Sequence, residues 1–402
     1  MQKSQALPSS SVPLLSPDLQ FLIACCQTEP SQEDLDFILS FQHKAGSVLP
    51  PLLELAGAHG VIPLVYKALK KLADDGLLDS KHIVLTTCKD AYLQIARRNM
   101  LMTAELSRIM KMLEENGIKA LAFKGPTLAQ LAYGDITLRQ FGDLDILVNE
   151  TQIVPAGTVL SEYGYQAEYS IKILENATCR GVINDLGFRH TSVNVFLELH
   201  WRLFREKIGQ HLDFEQISKH THSAVISGIS IATLSPEMLL VYLCLHGSKH
   251  AWERLEWLCD IDRLIRMQPI DWEITRTIAE AMDTSTTLYL GLNLCHELFN
   301  TPLTESFLTM THQNRIAELT EQTYKLLDSL CKKEGYSKYN TIHLYQMALL
   351  NTRTKKLQHL LATYFSISRN DCQQYPLPSA LKFLYIFIKP VRIAYKYLRY
   401  GK

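Results

Sequence analysis

Asp143 and Asp145 stand one residue apart at the head of the apolar run LDILV, residues 144–148. On an extended strand, residues i and i+2 face the same side. Two carboxylates so placed can hold Mg²⁺ or Mn²⁺, hard ions that share their oxygen ligands with phosphates. Two such ions about 3.5–4 Å apart activate an attacking oxygen and neutralise a departing pyrophosphate. A third carboxylate from a neighbouring strand completes such a cage. Glu198 is the candidate, on the alternating run VNVFLELHW of residues 193–201, where it shares a face with Asn194, Phe196 and His200.

A second chemical feature lies just upstream, in FKGPT at residues 123–127. A glycine turn feeding a helix N-terminus offers free backbone N–H groups and a dipole that favours phosphate. Gly125 provides the turn, Thr127 a hydroxyl and Lys124 a point charge for an outer phosphate. Arg139 adds a planar fork four residues before Asp143. The bland readings are solvated loop acids for the aspartates, an outward edge residue for Glu198, and surface ion pairs for Lys124 and Arg139. His200 either orients a metal-bound group or makes a structural hydrogen bond. His246 and His250 are spaced i, i+4 with Lys249 beside them, and can reach the nucleotide from a C-terminal domain together with Lys249 and Arg254, or pack on Trp252 and Trp257. The glutamate of HExxH is absent, which argues against a zinc peptidase and against bound zinc there. Asp260 and Asp262 are expected to pair with Arg263 and Arg266 on one helix.

Positioning these groups requires strands between helices. Residues 18–116 read as helical throughout, with one long amphipathic helix over 83–115 ending at Gly117. The texture changes there. Strands are expected at 120–123, 144–148, 188–192 and 193–201, with a helix from Pro126 and another over 151–163. Ser235-Pro236-Glu237 starts a second helical stretch with an N-cap, a proline and an acid in the first turn. The division is therefore a Ser/Pro-rich lead-in at 1–16, a helical domain at 17–116, an α/β core at 117–234 and a helical domain at 235–402.

The 402 residues carry 41 basic and 41 acidic side chains, so no global charge draws the chain to nucleic acid or acidic membranes. Nine cysteines are scattered without a CxxC pair and read as reduced thiols in cores. Neither a signal peptide nor a membrane span is legible, and a cytoplasmic protein is expected. The C-terminal LKFLYIFIKPVRIAYKYLRYGK mixes aromatics with Lys382, Lys389, Arg392, Lys396 and Arg399. It reads as a helix closing the last domain, with a membrane-surface or RNA contact as the alternative.

The order strand, glycine turn, helix, Asp-x-Asp strand resembles the polymerase-β-like nucleotidyltransferase superfamily. KGPTLAQLAY, Arg139, DLDILV, LELHWRL and HGSKHAWERLEWLCDID more closely resemble an uncharacterised bacterial nucleotidyltransferase family, over most of the chain. The resemblance implies an α+β fold with a polymerase-β-like core between helical domains, a nucleoside triphosphate donor, Mg²⁺, and Asp143 and Asp145 as metal ligands. It departs from the superfamily at Gly125-Pro126, where Gly-Ser or Gly-Gly is usual and the proline removes a backbone donor. The expected reaction moves a nucleoside monophosphate to an acceptor hydroxyl and releases pyrophosphate. The acceptor is a protein, peptide, small metabolite or RNA end. The alternatives are a metal-dependent glycosyltransferase and a nucleotide-binding protein without turnover. Neutralising any of Asp143, Asp145 or Glu198 is expected to abolish transfer while leaving the apo fold as stable or more so, because converging carboxylates repel.

Overall fold

The computed structural model describes residues 15–42, 49–190, 192–204, 209–332, 338–375, 377–388 and 391–392. Most of the expected lead-in, and Lys389, Lys396 and Arg399 of the C-terminal segment, lie outside them. Five helices come first: α1 (Pro17–Cys26), α2 (Gln32–Gln42), α3 (Leu49–Ala58), α4 (Ile62–Asp74) and α5 (Ile83–Glu115). α5 buries Met102, Leu106, Ile109 and Leu113, a stripe at i, i+4, i+7 and i+11, and exposes Ala104, Arg108, Lys111 and Glu114 on the other side. It ends where expected. Gly117 adopts φ 70°, and the Ile118 N–H turns back to the Leu113 carbonyl at 2.9 Å.

The centre of the chain alternates β1 (Ala120–Ala122), α6 (Gly125–Tyr133), β2 (Leu144–Val148), α7 (Ile153–Glu162), β3 (Tyr165–Ala167), α8 (Ala177–Val182), β4 (Asp185–His190) and β5 (Val195–His200). The strands form one mixed sheet in the order β1-β2-β5-β4-β3, in which only β2 and β5 run parallel. β2 is buried along its whole length, as four apolar residues of its five suit a strand covered on both faces, and it takes Asp145 in with them.

Two of the expected strands are placed differently. The pair read as 188–192 and 193–201 is instead Asp185–His190 and Val195–His200. Asn194 takes φ 50°, so the turn between the two strands uses residues that extend the alternating pattern in sequence. β3, only three residues long, was not legible. After α9 (Phe214–Ile217), β6 (Thr221–Ile226) and β7 (Ile229–Leu234) form a separate hairpin that was not anticipated either. Its signal was present: Ser227-Gly228 has φ 51° and 79°, the two positive values that a tight two-residue turn requires.

Helices then resume with α10 (Pro236–Lys249), α11 (Leu255–Met267), α12 (Trp272–Ala281) and α13 (Ser285–Phe299), and continue to Arg369–Gln374. Ser235 caps α10 as expected, its hydroxyl accepting from the Met238 N–H at 3.3 Å. The helices on either side of the sheet meet each other. Gln27 donates to the Leu298 carbonyl, Thr28 to Asp262, and Arg263 to the Cys26 carbonyl. Cys25, Cys26, Cys88, Cys179, Cys244, Cys259 and Cys295 are buried free thiols. No helix among the described residues is long and apolar enough to cross a membrane.

Candidate functional site

The parallel pairing of β2 with β5 sets Asp145 directly beside Glu198, and Leu147 beside His200. Register partners on adjacent strands project to one face, so the two carboxylates become neighbours although 53 residues separate them. His200 joins them, its Nε2 3.1 Å from Asp145 and 3.2 Å from Glu198. Ligand atoms of Asp145, Glu198 and His200 all lie within 4.8 Å of one another. Asp143, expected as a ligand, does not join this group in the metal-free arrangement; it sits at the entry of β2, before the strand's first pairing. One Asp145 oxygen, Oδ2, is buried and has no hydrogen-bond partner. A buried carboxylate oxygen without a donor costs about 1–3 kcal/mol or more, and a cation would relieve it. The set therefore fits a divalent ion.

Charge is balanced here by the chain's own cations. Lys124 Nζ stands 3.7 Å from Asp145 and 5.4 Å above the Tyr242 ring. Burial favours the neutral acid of Asp145, but Lys124 and His200 outweigh it and hold its pKa below the ordinary range. Asp143 goes the other way: burial, then the charge of Asp145, raises its pKa. Burial works against the proton of His200, yet the hydrogen bonds to Asp145 and Glu198 win and lift its pKa to about 9. Lys124 is likewise held protonated, with Asp145 overcoming its burial.

The Lys124-Gly125 turn takes the conformation that glycine permits. Gly125 has φ 53°, and a Cβ on it would meet the Asp143 carbonyl oxygen at 3.2 Å. The glycine thus lets the turn close on the strand that carries the aspartates. Thr127 does not face the site. It is fully buried, and its hydroxyl donates within the turn to the Lys124 carbonyl at 2.9 Å. A hydroxyl used in this way is not offered to phosphate, which corrects the sequence expectation.

Arg139 is also committed. Its Nε and Nη2 donate to the two oxygens of Asp260 at 2.8 and 2.9 Å, in a buried fork on α11. Tyr133 donates to the same carboxylate at 2.9 Å. Asp260 therefore pairs with a residue 121 positions away rather than with its helix neighbour, whereas Asp262 does pair with Arg266 as expected. The bond locks α6, the 139–143 loop and α11 into one frame.

Between α5, this loop, α10 and α11 lies a cavity of about 370 Å³, lined by Arg98, Lys124, Asp143, His246, Arg254 and Trp257 among others. His246 reaches it; Lys249 and His250 are not in its lining. His246 and His250 stack toward Trp257, with ring centroids 5.3 and 5.5 Å from it. Burial, then Lys124, keeps His246 unprotonated by lowering its pKa. Arg254, expected with the histidines to face the nucleotide, does line the cavity; Arg98 and Trp257 were not singled out as substrate contacts from the sequence, because no local motif distinguishes them from ordinary helix residues.

Residues 49–300 match the family described as "Uncharacterised nucleotidyltransferase", more than half of the chain and all of the site just described. The chain belongs to this nucleotidyltransferase family. Among solved structures, an antigenic nucleotidyltransferase-like protein from Paracoccidioides brasiliensis is similar at 14% identity and a TM-score of 0.30, over 50% of this chain and 96% of that one. No protein with a curated description matches.

In this member of the family, the far wall of the cavity is fixed by the N-terminal helices. The start of α11 lacks a side-chain cap of its own, and His59 supplies one from the α3–α4 turn. Its carbonyl accepts from the Glu256 N–H at 3.1 Å and its Nδ1 from the Leu255 N–H at 3.2 Å. Gly60 (φ 74°) is obligatory beside it, since a Cβ would fall 1.8 Å from the Glu256 carboxylate. Burial raises the Glu256 pKa to about 7 despite Arg139 and Arg254. A carboxyl whose folded pKa lies above its unfolded value of about 4.3 favours folding below that value and loses the contribution as pH rises through 7. Glu256→Gln is therefore expected to flatten the fall of apo stability between about pH 4 and 7 relative to the parent protein. Urea denaturation across that range checks it; identical slopes would place the proton elsewhere.

Proposed function

We propose that this chain transfers a nucleoside monophosphate from a nucleoside triphosphate to an acceptor hydroxyl, with release of pyrophosphate, on a polymerase-β-like core. The observation that carries the reading is the Asp145–Glu198 pair on adjacent parallel strands, with an unpartnered carboxylate oxygen, next to Lys124 and Asp143, which line a cavity edged by cations. Asp145 and Glu198 would hold Mg²⁺ or Mn²⁺, with Asp143 as a further oxygen donor two residues before Asp145, and His200 would join them only on giving up the proton that the two carboxylates hold on it. When bound, the ion offsets the negative charge of the phosphates and lowers the proton affinity of the attacking hydroxyl.

The chain's own groups do the rest. The acceptor oxygen bonds to the α-phosphorus while the α–β bridging P–O bond breaks, and pyrophosphate carries away that electron pair. Glu198, the most exposed of the three clustered residues, takes the hydroxyl proton. Lys124 meets the outer phosphates, because its amine lies at the cavity wall and is held fully charged. Arg98 and Arg254 line the same cavity and extend this cationic edge; Arg139 also lines it, but its Nε and Nη2 are held by Asp260.

Two measurements test this. Calorimetric titration with ATP, GTP, CTP and UTP should show binding that needs Mg²⁺ or Mn²⁺, and equally tight binding in excess EDTA would sink the metal reading. Lys124→Ala should weaken triphosphate binding by roughly tenfold, the scale of one charge-assisted contact, and affect monophosphate much less. Equal losses for both ligands would confine Lys124 to its pairing with Asp145.

A second reading, nucleotide binding without turnover, is favoured by the turn itself: Pro126 lacks an N–H and Thr127 uses its hydroxyl internally. It predicts a metal-dependent nucleotide melting shift with no pyrophosphate released in the presence of any lysate acceptor.

A further inference from the structure

A face that shares no lining residue with the Lys124 cavity carries a different chemistry. After Asp371 the sequence contains six basic residues (Lys382, Lys389, Arg392, Lys396, Arg399 and Lys402) and no acidic one, in a chain whose net charge is zero. Aromatic and aliphatic residues alternate with these charges to the last residue. The described part of this segment is anchored from one side only. Tyr385 is fully buried, accepting from the Leu377 N–H at 2.9 Å and donating to the Tyr375 carbonyl at 2.6 Å. Asn176 of the core holds the Leu377 carbonyl at 2.8 Å, and Arg392 pairs with Asp371 at 2.8 Å.

With Tyr385 turned inward, its neighbours turn outward. Phe383 is 55% exposed, Phe387 65% and Val391 67%. Phe383 and Ile386 also line an open groove of about 580 Å³ together with Phe365, and Arg202 and Lys382 stand on its walls. Large aromatics left in water beside Lys382, in a sequence stretch that stays net positive even with Arg392 spent on Asp371, are costly for a surface that meets only solvent. The same combination is what an anionic bilayer rewards: apolar side chains enter the acyl boundary while basic ones meet phosphate headgroups.

We propose that this face docks the protein on an anionic phospholipid surface, with Phe383, Ile386 and Phe387 inserting and Lys382 among the headgroup-binding cations. Ten further residues, 393–402, follow the face in sequence and bring three of the six basic side chains to the same end of the chain. The attachment is peripheral, since one short apolar stretch interrupted by Pro390 does not span a bilayer. It is independent of whether the cavity turns over nucleotide.

Co-sedimentation of the full chain with phosphatidylcholine vesicles, with and without phosphatidylglycerol, tests it. Binding should require phosphatidylglycerol and weaken as NaCl is raised. Lys382→Gln should lower partitioning roughly fivefold, the effect of one basic residue at such a surface, and Phe387→Ser should lower it by at least as much. Both side chains are exposed, so the variants should melt with the parent protein, and a variant that melts early is replaced by Ile386→Ser for the same reading. Equal binding to phosphatidylcholine alone, no binding to either vesicle, or variants that partition like the parent would each overturn the proposal. So would capture by single-stranded poly(U) RNA of protein that the anionic vesicles leave free.

Discussion

Asp145→Asn is expected to abolish nucleotidyl transfer and also to destabilise the metal-free protein by about 3–5 kcal/mol, the usual cost of removing one partner of a buried ion pair. Asp143→Asn should abolish transfer equally and leave the metal-free protein unchanged or more stable. Mutual repulsion of converging carboxylates, the expectation from sequence alone, treats the two residues alike. The structure separates them. Asp145 is nearly inaccessible and sits between Lys124 at 3.7 Å and His200 at 3.1 Å, so its charge is wanted before any metal arrives. Its folded pKa lies below the ordinary value, so it stabilises the fold above about pH 4 and loses that contribution as pH falls through the folded value. Asp143 has a raised pKa, so ionising it at neutral pH works against folding, and asparagine removes that cost. Pyrophosphate release measures activity and guanidinium denaturation at pH 7 measures stability. An Asp145→Asn variant that retains transfer would end the nucleotidyltransferase reading; one that is inactive but no less stable would show that Lys124 and His200 find other partners.

Arg139→Ala should cost about 3–5 kcal/mol of stability, because it strands the buried Asp260 carboxylate with Tyr133 as its remaining donor. A phosphate clamp would behave differently, losing nucleotide affinity and little stability. The double variant Arg139→Met, Asp260→Asn separates the two roles. Neutralising both partners leaves an acceptor for the Tyr133 hydroxyl and removes the stranded charge, so most of the lost stability should return. Denaturation midpoints of the single and double variants, read beside nucleotide binding, decide it. If the double variant is as unstable as Arg139→Ala, the fork is not what ties α6 to α11.

Local rules explain why much of this was legible in the sequence. The bounds of α5, the Gly117 cap and the Ser235-Pro236 start depend on contacts within one turn, which side-chain type and spacing specify directly. β2, with its two acids at the head of an apolar run, reads correctly because a strand buried on both faces shows a near-continuous apolar sequence, here Leu144 and Ile146 to Val148 around Asp145. The choice of Glu198 as the partner of Asp145 rests on the same strand logic. Alternation put Glu198 and His200 on one face, and family resemblance pointed to the β2 aspartates.

What lay beyond the sequence depends on contacts between distant residues. Alternation says which residues share a face but not which strand lies beside it, so only the β2–β5 register makes Asp145 and Glu198 neighbours and brings His200 within reach of both. Asp143 and Asp145 carry the same side chain two positions apart, yet one is paired with cations and the other is not. Arg139 matches a clamp by type and place, but its fork is filled from α11, 121 residues on. Thr127 has the right hydroxyl in the right turn, but the helix start turns it inward. Arg98, Arg254 and Trp257 reach the cavity because helices from the two ends of the chain pack around the sheet. The sequence by itself determined the elements and the chemical types at the site. Tertiary structure decided which charges meet, because partner choice is set by packing across the whole chain and not by the neighbours of each residue.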